Sequence, residues 1–359
     1  MQPKFYLDKV EVMITNICNL NCPNCNRYNN YMFSGFRTWK KSKKEFEKWA
    51  SKLDLGHWVI IGGEPTTNKD FRDWLKGMHT LWPNAIGQLE TNGTLLDHND
   101  KELYDFLKST DGKVSIRIGL HNINWRDSLI EYAVNFLDGE LYQNSFRSFE
   151  KSFLKSYCNI KSAEWPECKT IEDWHNLSDI IKSECSSIFG VDPNLLRVKG
   201  VDEELKKDII YIGDKNNVSI IIALENKHYQ SSVIHDIDRG TLTLHDNDIN
   251  DSHAHCMKER GDAFQLIDGN IYKCAVSLSL PHFNKQFPME ISEEDTKTIH
   301  SYNSANLNMS HSELTDWFDK LKNPIGMCKF CNIGPELEFS AGKKKIFFKK
   351  RKIPITGID

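Results

Sequence analysis

Along the first 140 residues the apolar positions change period in a regular way, and that rhythm predicts a fold. Val10-Glu11-Val12-Met13-Ile14 is a short β-branched apolar run that stops at Thr15 and Asn16, the pattern of a buried strand. Phe46, Trp49, Ala50 and Leu53 then recur at helical spacing, and Ser42 with Glu45 forms a capping box that predicts where this helix starts. His57–Ile61 returns to the strand pattern, followed by Phe71, Trp74, Leu75 and Met78 on one helical face. Residues 86–91 and Val114–Leu120 predict two more strands. Each is followed by a helical set: Leu103, Phe106 and Leu107, then Leu129, Ala133, Phe136 and Leu137. Strands alternating with helices at this spacing imply βαβ units and a parallel sheet. In such sheets ligands bind at the carboxyl ends of the strands.

From about Glu140 to Asn217 the rhythm stops. Phe146, Phe149, Phe153 and Tyr157 share a helical face, as do Ile171, Trp174, Leu177 and Ile181, so this stretch is expected to be a helical insertion broken at Pro166 and Pro193. Val218–Leu224 and Thr241–Leu244 read as a fifth and a sixth strand. Further on, Asp268-Gly269 between Ala263–Ile267 and Asn270–Cys274 is a strong type I′ hairpin signal. A helix carrying Trp317, Phe318 and Leu321 follows it. The expected architecture is α/β: a partial (βα)6 barrel over 1–250 with the insertion at about 140–217, a small α+β domain over 251–335, and a tail over 336–359.

Composition narrows the class. With 359 residues the chain can bury two cores, and no apolar run approaches the roughly 18 residues that span a bilayer. The first residues lack the apolar core of a signal peptide, so a cytoplasmic location without membrane contact is expected. Ten cysteines in a reducing compartment argue for metal ligation over disulfides. A net charge of −4 points to no polyanion partner for the chain as a whole. The tail differs: seven of the ten residues from Lys343 to Lys352 are basic, with Phe347 and Phe348 among them. Such a run is either a solvated charge cluster or a grip for nucleic-acid phosphates.

The densest chemistry follows the first strand, where Cys18, Cys22 and Cys25 fall within eight residues as CxxxCxxC. Three thiolates on one tight loop can hold three corners of a cuboidal iron–sulfur cluster and leave the fourth iron open. Structural zinc takes four protein ligands, usually from paired CxxC motifs. Gly62-Gly63-Glu64 lies at the end of the second strand, where two glycines allow close approach to the backbone and Glu64 offers an acceptor to an ammonium group.

CxxxCxxC after the first strand, with the GGE sequence one strand later, resembles the radical SAM superfamily. That resemblance implies that Cys18, Cys22 and Cys25 hold a [4Fe-4S] cluster and that Gly62, Gly63 and Glu64 bind the amino group of S-adenosyl-L-methionine. Thr91-Asn92-Gly93 looks like the family's third strand end, which would place Thr91 and Asn92 at the cofactor. The Ile118–His121 stretch resembles the fourth, with Gly119 where the family often has Ser and His121 or Asn122 as the substitute contact. Asn24 stands where the family usually has an aromatic residue. The resemblance implies reductive cleavage of S-adenosyl-L-methionine, hydrogen abstraction from an organic substrate, and an electron donor such as flavodoxin or ferredoxin.

Cys256, Cys274, Cys328 and Cys331 form a second set, bracketing the hairpin and ending in CxxC. Four thiols can close a shell around zinc or around a fully ligated cluster, and their pattern alone leaves both open. The set resembles the twitch domain, the shortened SPASM domain of many radical SAM enzymes, which implies an auxiliary [4Fe-4S] cluster and a net oxidation. Cys158, Cys168 and Cys185 read as small buried hydrophobes, with Cys168 retained as a hydrogen-atom donor candidate. The substrate is left between a peptide or protein side chain, a small molecule, and a nucleotide or nucleic acid recruited by the tail. A zinc-bearing binding module without catalysis is the competing class.

Overall fold

The computed structural model describes residues 3–22, 25–31, 33–137, 209–213, 216–224, 227–228, 231–236, 238–259, 263–334 and 337–338. The helices expected over most of 140–217, with Cys158, Cys168 and Cys185, lie outside the described residues, as does the basic run. In chain order the early strands are β1 (Phe5–Met13), β2 (Leu53–Ile61), β3 (Ile86–Thr91), β4 (Val114–Leu120), β5 (Ile209–Gly213) and β6 (Ser219–Leu224). The later ones are β7 (Lys227–His228), β8 (Val233–Asp236), β9 (Thr241–Leu244), β10 (Phe264–Ile267), β11 (Asn270–Tyr272), β12 (Ala305–Asn306) and β13 (Leu337–Glu338). The helices used below are α1 (Trp39–Ala50), α2 (Phe71–Leu81), α3 (Lys101–Ser109), α4 (Arg126–Phe136), α5 (Ile249–Glu259) and α6 (Ala275–Gln286). The fold is mixed α/β with parallel strand pairs, and it divides into two compact units, 1–91 with 225–359, and 92–224.

In the first unit the strand order is β12-β11-β10-β1-β2-β3. β1 runs parallel to β2 from Phe5↔Leu53 to Met13↔Ile61, and β2 runs parallel to β3 from His57↔Ile86 to Ile60↔Leu89. Val10, Val12, Met13 and Trp58–Ile61 are all buried, as central parallel strands covered on both faces require. Phe46 and Trp49 of α1, and Trp74, Leu75 and Met78 of α2, supply buried apolar faces at the predicted positions.

Two expectations are corrected here. The first helix starts at Trp39 with Thr38 as N-cap, one turn before the Ser42/Glu45 box, and no side chain caps it. Packing outweighs capping: the Trp39 ring meets Trp74 edge-on at 5.1 Å and Phe46 at 5.8 Å, and Ser42 is buried inside the helix. Thr241–Leu244 is a strand, but it pairs antiparallel with Val233–Asp236 in a two-stranded ribbon. Of its four residues only Leu242 is buried, which suits a ribbon with one wet face. The parallel neighbour of β1 on its other side is β10, buried at all four positions and in register from Val10↔Phe264 to Val12↔Leu266. β10 turns into β11 through Asp268 (φ 50°) and Gly269 (φ 71°), the two left-handed residues of the predicted type I′ hairpin.

In the second unit β4 runs parallel to β6 from Ile116↔Ile220 to Leu120↔Leu224. β5 pairs antiparallel with β6, although it falls within the stretch expected to be helical. α3 buries Leu103 and Leu107, and Asp100 caps it by accepting from the Leu103 N–H at 3.0 Å. α4 buries Leu129, Ala133 and Phe136. Among the described residues no helix is long and apolar enough to cross a membrane.

Candidate metal and cofactor centre

The cysteine loop leaves the carboxyl end of β1 and is closed at its neck. Arg37 N–H donates to Ile14 O at 2.9 Å, Asn16 N–H to Gly35 O at 2.8 Å, and the Asn16 amide to Ser34 O at 3.1 Å. The two ends of the cysteine loop are therefore tied together. Cys18, Cys22 and Cys25 are all partly buried thiols on it. Leu20 N–H points at Cys18 Sγ (3.4 Å), and Cys25 N–H donates to Cys22 O (3.4 Å).

The thiols lie within electrostatic reach of one another. Burial first, then the neighbouring Cys25 and Glu64, push Cys18 up to about 12 against the opposing Leu20 N–H. Burial, then Cys25 and Cys18, raise Cys22. Cys18 and Cys22, two partly buried sulfurs that resist ionising, could serve with Cys25 as ligands, since metal binding expels thiol protons. Among the described residues no three His, Cys, Asp or Glu side chains are grouped to hold one metal ion.

Gly62-Gly63-Glu64 is pressed against the loop. A Cβ on Gly62 would stand 2.4 Å from Thr15 O, and one on Gly63 would stand 2.2 Å from Ile17 O. Gly63 N–H donates to Thr15 O (2.9 Å) and Glu64 N–H to Ile17 O (2.7 Å). The close approach that the two glycines permit is thus made by the chain's own cysteine loop, and these two N–H groups are spent on it. The Glu64 carboxylate is buried, its Oε1 accepting from Thr66 N–H (3.1 Å), the Thr66 hydroxyl and the Thr91 hydroxyl (2.5 Å). Thr91, at the end of β3, therefore acts on Glu64. Asn92, in the second unit, folds back onto Thr94, accepting from its N–H (3.0 Å) and hydroxyl (2.6 Å). His121, in the same unit, follows β4 and is partly buried.

Sequence reasoning missed the groups that brace the loop. Arg27, two residues past Cys25, pairs with the buried Glu11 carboxylate of β1 and donates to Gln265 Oε1 of β10 (3.3 Å). Burial would raise the Glu11 pKa, but the charges of Arg27 and Lys9 and the Gln265 amide outweigh it and hold it low. Arg37 grips Asp268 of the hairpin through Nε–Oδ1 (2.6 Å) and Nη2–Oδ2 (2.9 Å). Tyr28, buried with a left-handed φ of 57°, packs on Phe283 of α6 at 4.6 Å. Its hydroxyl lies within electrostatic reach of both Cys331 and Cys25. Polar residues inside an apolar strand, such as Glu11 and Gln265, were the available signal.

In the second cysteine set, Cys274 is the N-cap of α6, and its N–H donates to Ser277 Oγ at 3.1 Å. Cys256 lies on α5, and Cys328 and Cys331 bracket a turn closed by Cys331 N–H to Cys328 O at 3.0 Å. All four are partly buried thiols. Burial raises Cys328, with Ile325 backbone contact and the Lys273 charge opposing and Cys274 adding to the rise, so Cys274 and Cys328 share one environment.

Residues 12–147 match the family model described as Radical SAM superfamily, a stretch that includes Cys18, Cys22, Cys25 and Gly62-Gly63-Glu64. Among solved structures, Streptococcus suis SuiB bound to S-adenosylmethionine aligns at 12% identity over 88% of this chain and 66% of that one, with a TM-score of 0.39. SuiB bound to precursor peptide SuiA aligns at 12% identity over 87% and 64%, with a TM-score of 0.37. Native anSMEcpe with bound AdoMet and Cp18Cys peptide aligns at 12% identity over 91% and 84%, with a TM-score of 0.37. The chain thus spans just under two thirds of the SuiB chains it matches. No curated protein matches it.

Proposed function

We propose that this chain is a radical SAM enzyme in which Cys18, Cys22 and Cys25 hold a [4Fe-4S] cluster and Glu64 receives the amino group of S-adenosyl-L-methionine. When bound, that pair supplies a reductive C–S cleavage whose 5′-deoxyadenosyl radical takes a hydrogen atom from the substrate. The observation that carries this reading is the clamp between the β1 and β2 ends. Gly63 and Glu64 bond backbone to backbone with Thr15 and Ile17, which fixes Glu64 within reach of Cys18. The chain's own work is positional. Thr66 and Thr91 orient the Glu64 carboxylate, and Asn68 donates to Ile14 O (3.0 Å) and Arg37 O (2.8 Å) to hold the loop neck. Cys256, Cys274, Cys328 and Cys331 are read as ligands of an auxiliary [4Fe-4S] cluster that accepts an electron in a net oxidation. The substrate class proposed is a peptide or protein side chain or a small molecule, with a low-potential flavodoxin or ferredoxin as reductant.

Anaerobically reconstituted protein is expected to hold about eight irons and eight sulfides per chain, two cubanes of four each. It should release 5′-deoxyadenosine from S-adenosyl-L-methionine under dithionite. Replacing Cys18, Cys22 and Cys25 by Ala should leave about four irons and abolish 5′-deoxyadenosine. Zinc without sulfide in the parent would end this reading in favour of a binding module.

A further inference from the structure

We propose that Lys273 is the positioning residue of the second cysteine set: its buried ammonium ties together the segments that carry all four thiols, and its charge raises the reduction potential of the group they hold. The inference rests on the auxiliary-cluster reading given above and adds a residue to it. Lys273 is only 8% exposed, at the end of β11 and directly before Cys274. Its Nζ donates to Leu321 O at 2.8 Å and Asn323 O at 3.0 Å, and lies 3.0 Å from His253 Nε2. Two of its three donors meet carbonyl oxygens, and the ring nitrogen of His253 lies in reach of the third.

Those acceptors belong to different parts of the chain. His253 sits on α5, three residues and so about one turn before Cys256. Leu321 and Asn323 open the segment that runs into Cys328 and Cys331. Lys273 itself precedes Cys274. One side chain therefore joins α5, the end of the hairpin before Cys274 and the start of the 321–331 segment.

The charge on Lys273 is also of an unusual kind. Lys329, beside Cys328, is neutralised by the carboxylates of Asp295 (2.8 Å) and Asp246 (3.0 Å). Two of the three Lys273 partners are neutral carbonyls, and the third is a ring nitrogen of His253. Among the described residues no carboxylate pairs with the Lys273 ammonium, and a buried charge is screened less than one in water. Cys328 lies within that field. An iron–sulfur cluster gains a negative charge on reduction, so a fixed positive charge nearby favours the reduced state.

The test uses the full-length chain, reconstituted anaerobically, with the parent beside K273R, K273Q and K273M. Iron and sulfide are counted, and reduction is followed by electron paramagnetic resonance during a potential titration. The signal that shifts on adding S-adenosyl-L-methionine belongs to the first cluster, and the unresponsive signal to the second. K273R is expected to keep the second signal near the parent potential. K273Q and K273M are expected to move it to a more negative potential or to lose it while the first signal stays. Uncharged variants that retain the second signal at the parent potential would overturn the inference. So would loss of that signal, or failure to fold, in all three variants alike, because shape and not charge would then be the requirement. A parent with about four irons and one wholly responsive signal would instead remove the auxiliary-cluster reading, and this inference with it.

Discussion

His57 shows how much one side chain with a buried ring nitrogen can couple this fold to pH. It lies mid-strand in β2, with Nε2 buried and unpartnered among the described residues. Burial first, then the Lys9 charge, hold its pKa down at about 3, while Glu11 pulls weakly the other way. In the unfolded chain a histidine titrates near 6.5, so between pH about 6.5 and about 3 only the unfolded state takes the proton. Stability is therefore full above pH 6.5 and falls as pH drops through that window, by up to about 1.4 kcal/mol per pH unit from this group. H57Q should flatten the slope in urea melts taken between pH 7 and pH 5, and an unchanged slope would assign the acid sensitivity elsewhere. The Arg37–Asp268 pair makes a second expectation. Both partners are largely withdrawn from water, so R37A or D268A leaves a charge stranded and should cost about 3 kcal/mol in denaturant midpoint analysis. The double substitution should recover part of that loss, because it removes the stranded charge as well.

Among elements, the junction of β2 with the cysteine loop has the least room to vary. A methyl group on Gly63 would collide with the Ile17 carbonyl, and a backbone atom cannot rotate aside as a side chain can. G63A should therefore displace the loop and lower cluster iron severalfold while far-UV circular dichroism stays near the parent. Full iron content in G63A would show that the loop can shift without losing its ligand geometry. Much of this level was legible beforehand. The first four strands, their helices and the Asp268-Gly269 turn follow from local periodicity and left-handed turn chemistry, which neighbours in sequence settle. The start of α1 was misread because the Trp39–Trp74 contact, which decides it, lies far away in sequence. Thr241–Leu244 was misplaced for the same reason: four alternating residues fix a strand but not its partner, and the full burial of Phe264–Ile267 is a tertiary fact. The thiols and Glu64 announced themselves by spacing, whereas Thr91 as a brace for Glu64, and Arg27 as a brace for the loop, required the register between strands.

At the scale of the whole molecule, the charge of the chain is unevenly distributed. Removing the seven basic residues between Lys343 and Lys352 from a net −4 leaves −11, a poor ligand for any polyanion. If the tail recruits nucleic acid, deletion of 342–359 should abolish retention on single-stranded DNA at about 50 mM salt and leave both clusters intact, since no cysteine lies beyond Cys331. A full-length protein that ignores single- and double-stranded nucleic acid at that salt would leave the peptide or small-molecule substrate as the proposal. The pairing of Val10 with Phe264 has a further consequence, which belongs to synthesis. At about 5–20 residues per second a ribosome needs roughly 12–50 seconds to travel from one to the other. Through that interval β1 can dock β2, but its opposite edge stays an open row of amide and carbonyl groups beside the bare cysteine loop. The nascent chain thus spends most of its translation with its most oxidisable segment next to its stickiest edge. Cells that make it well are expected to need a chaperone on that edge, or low oxygen, until the hairpin arrives to close it.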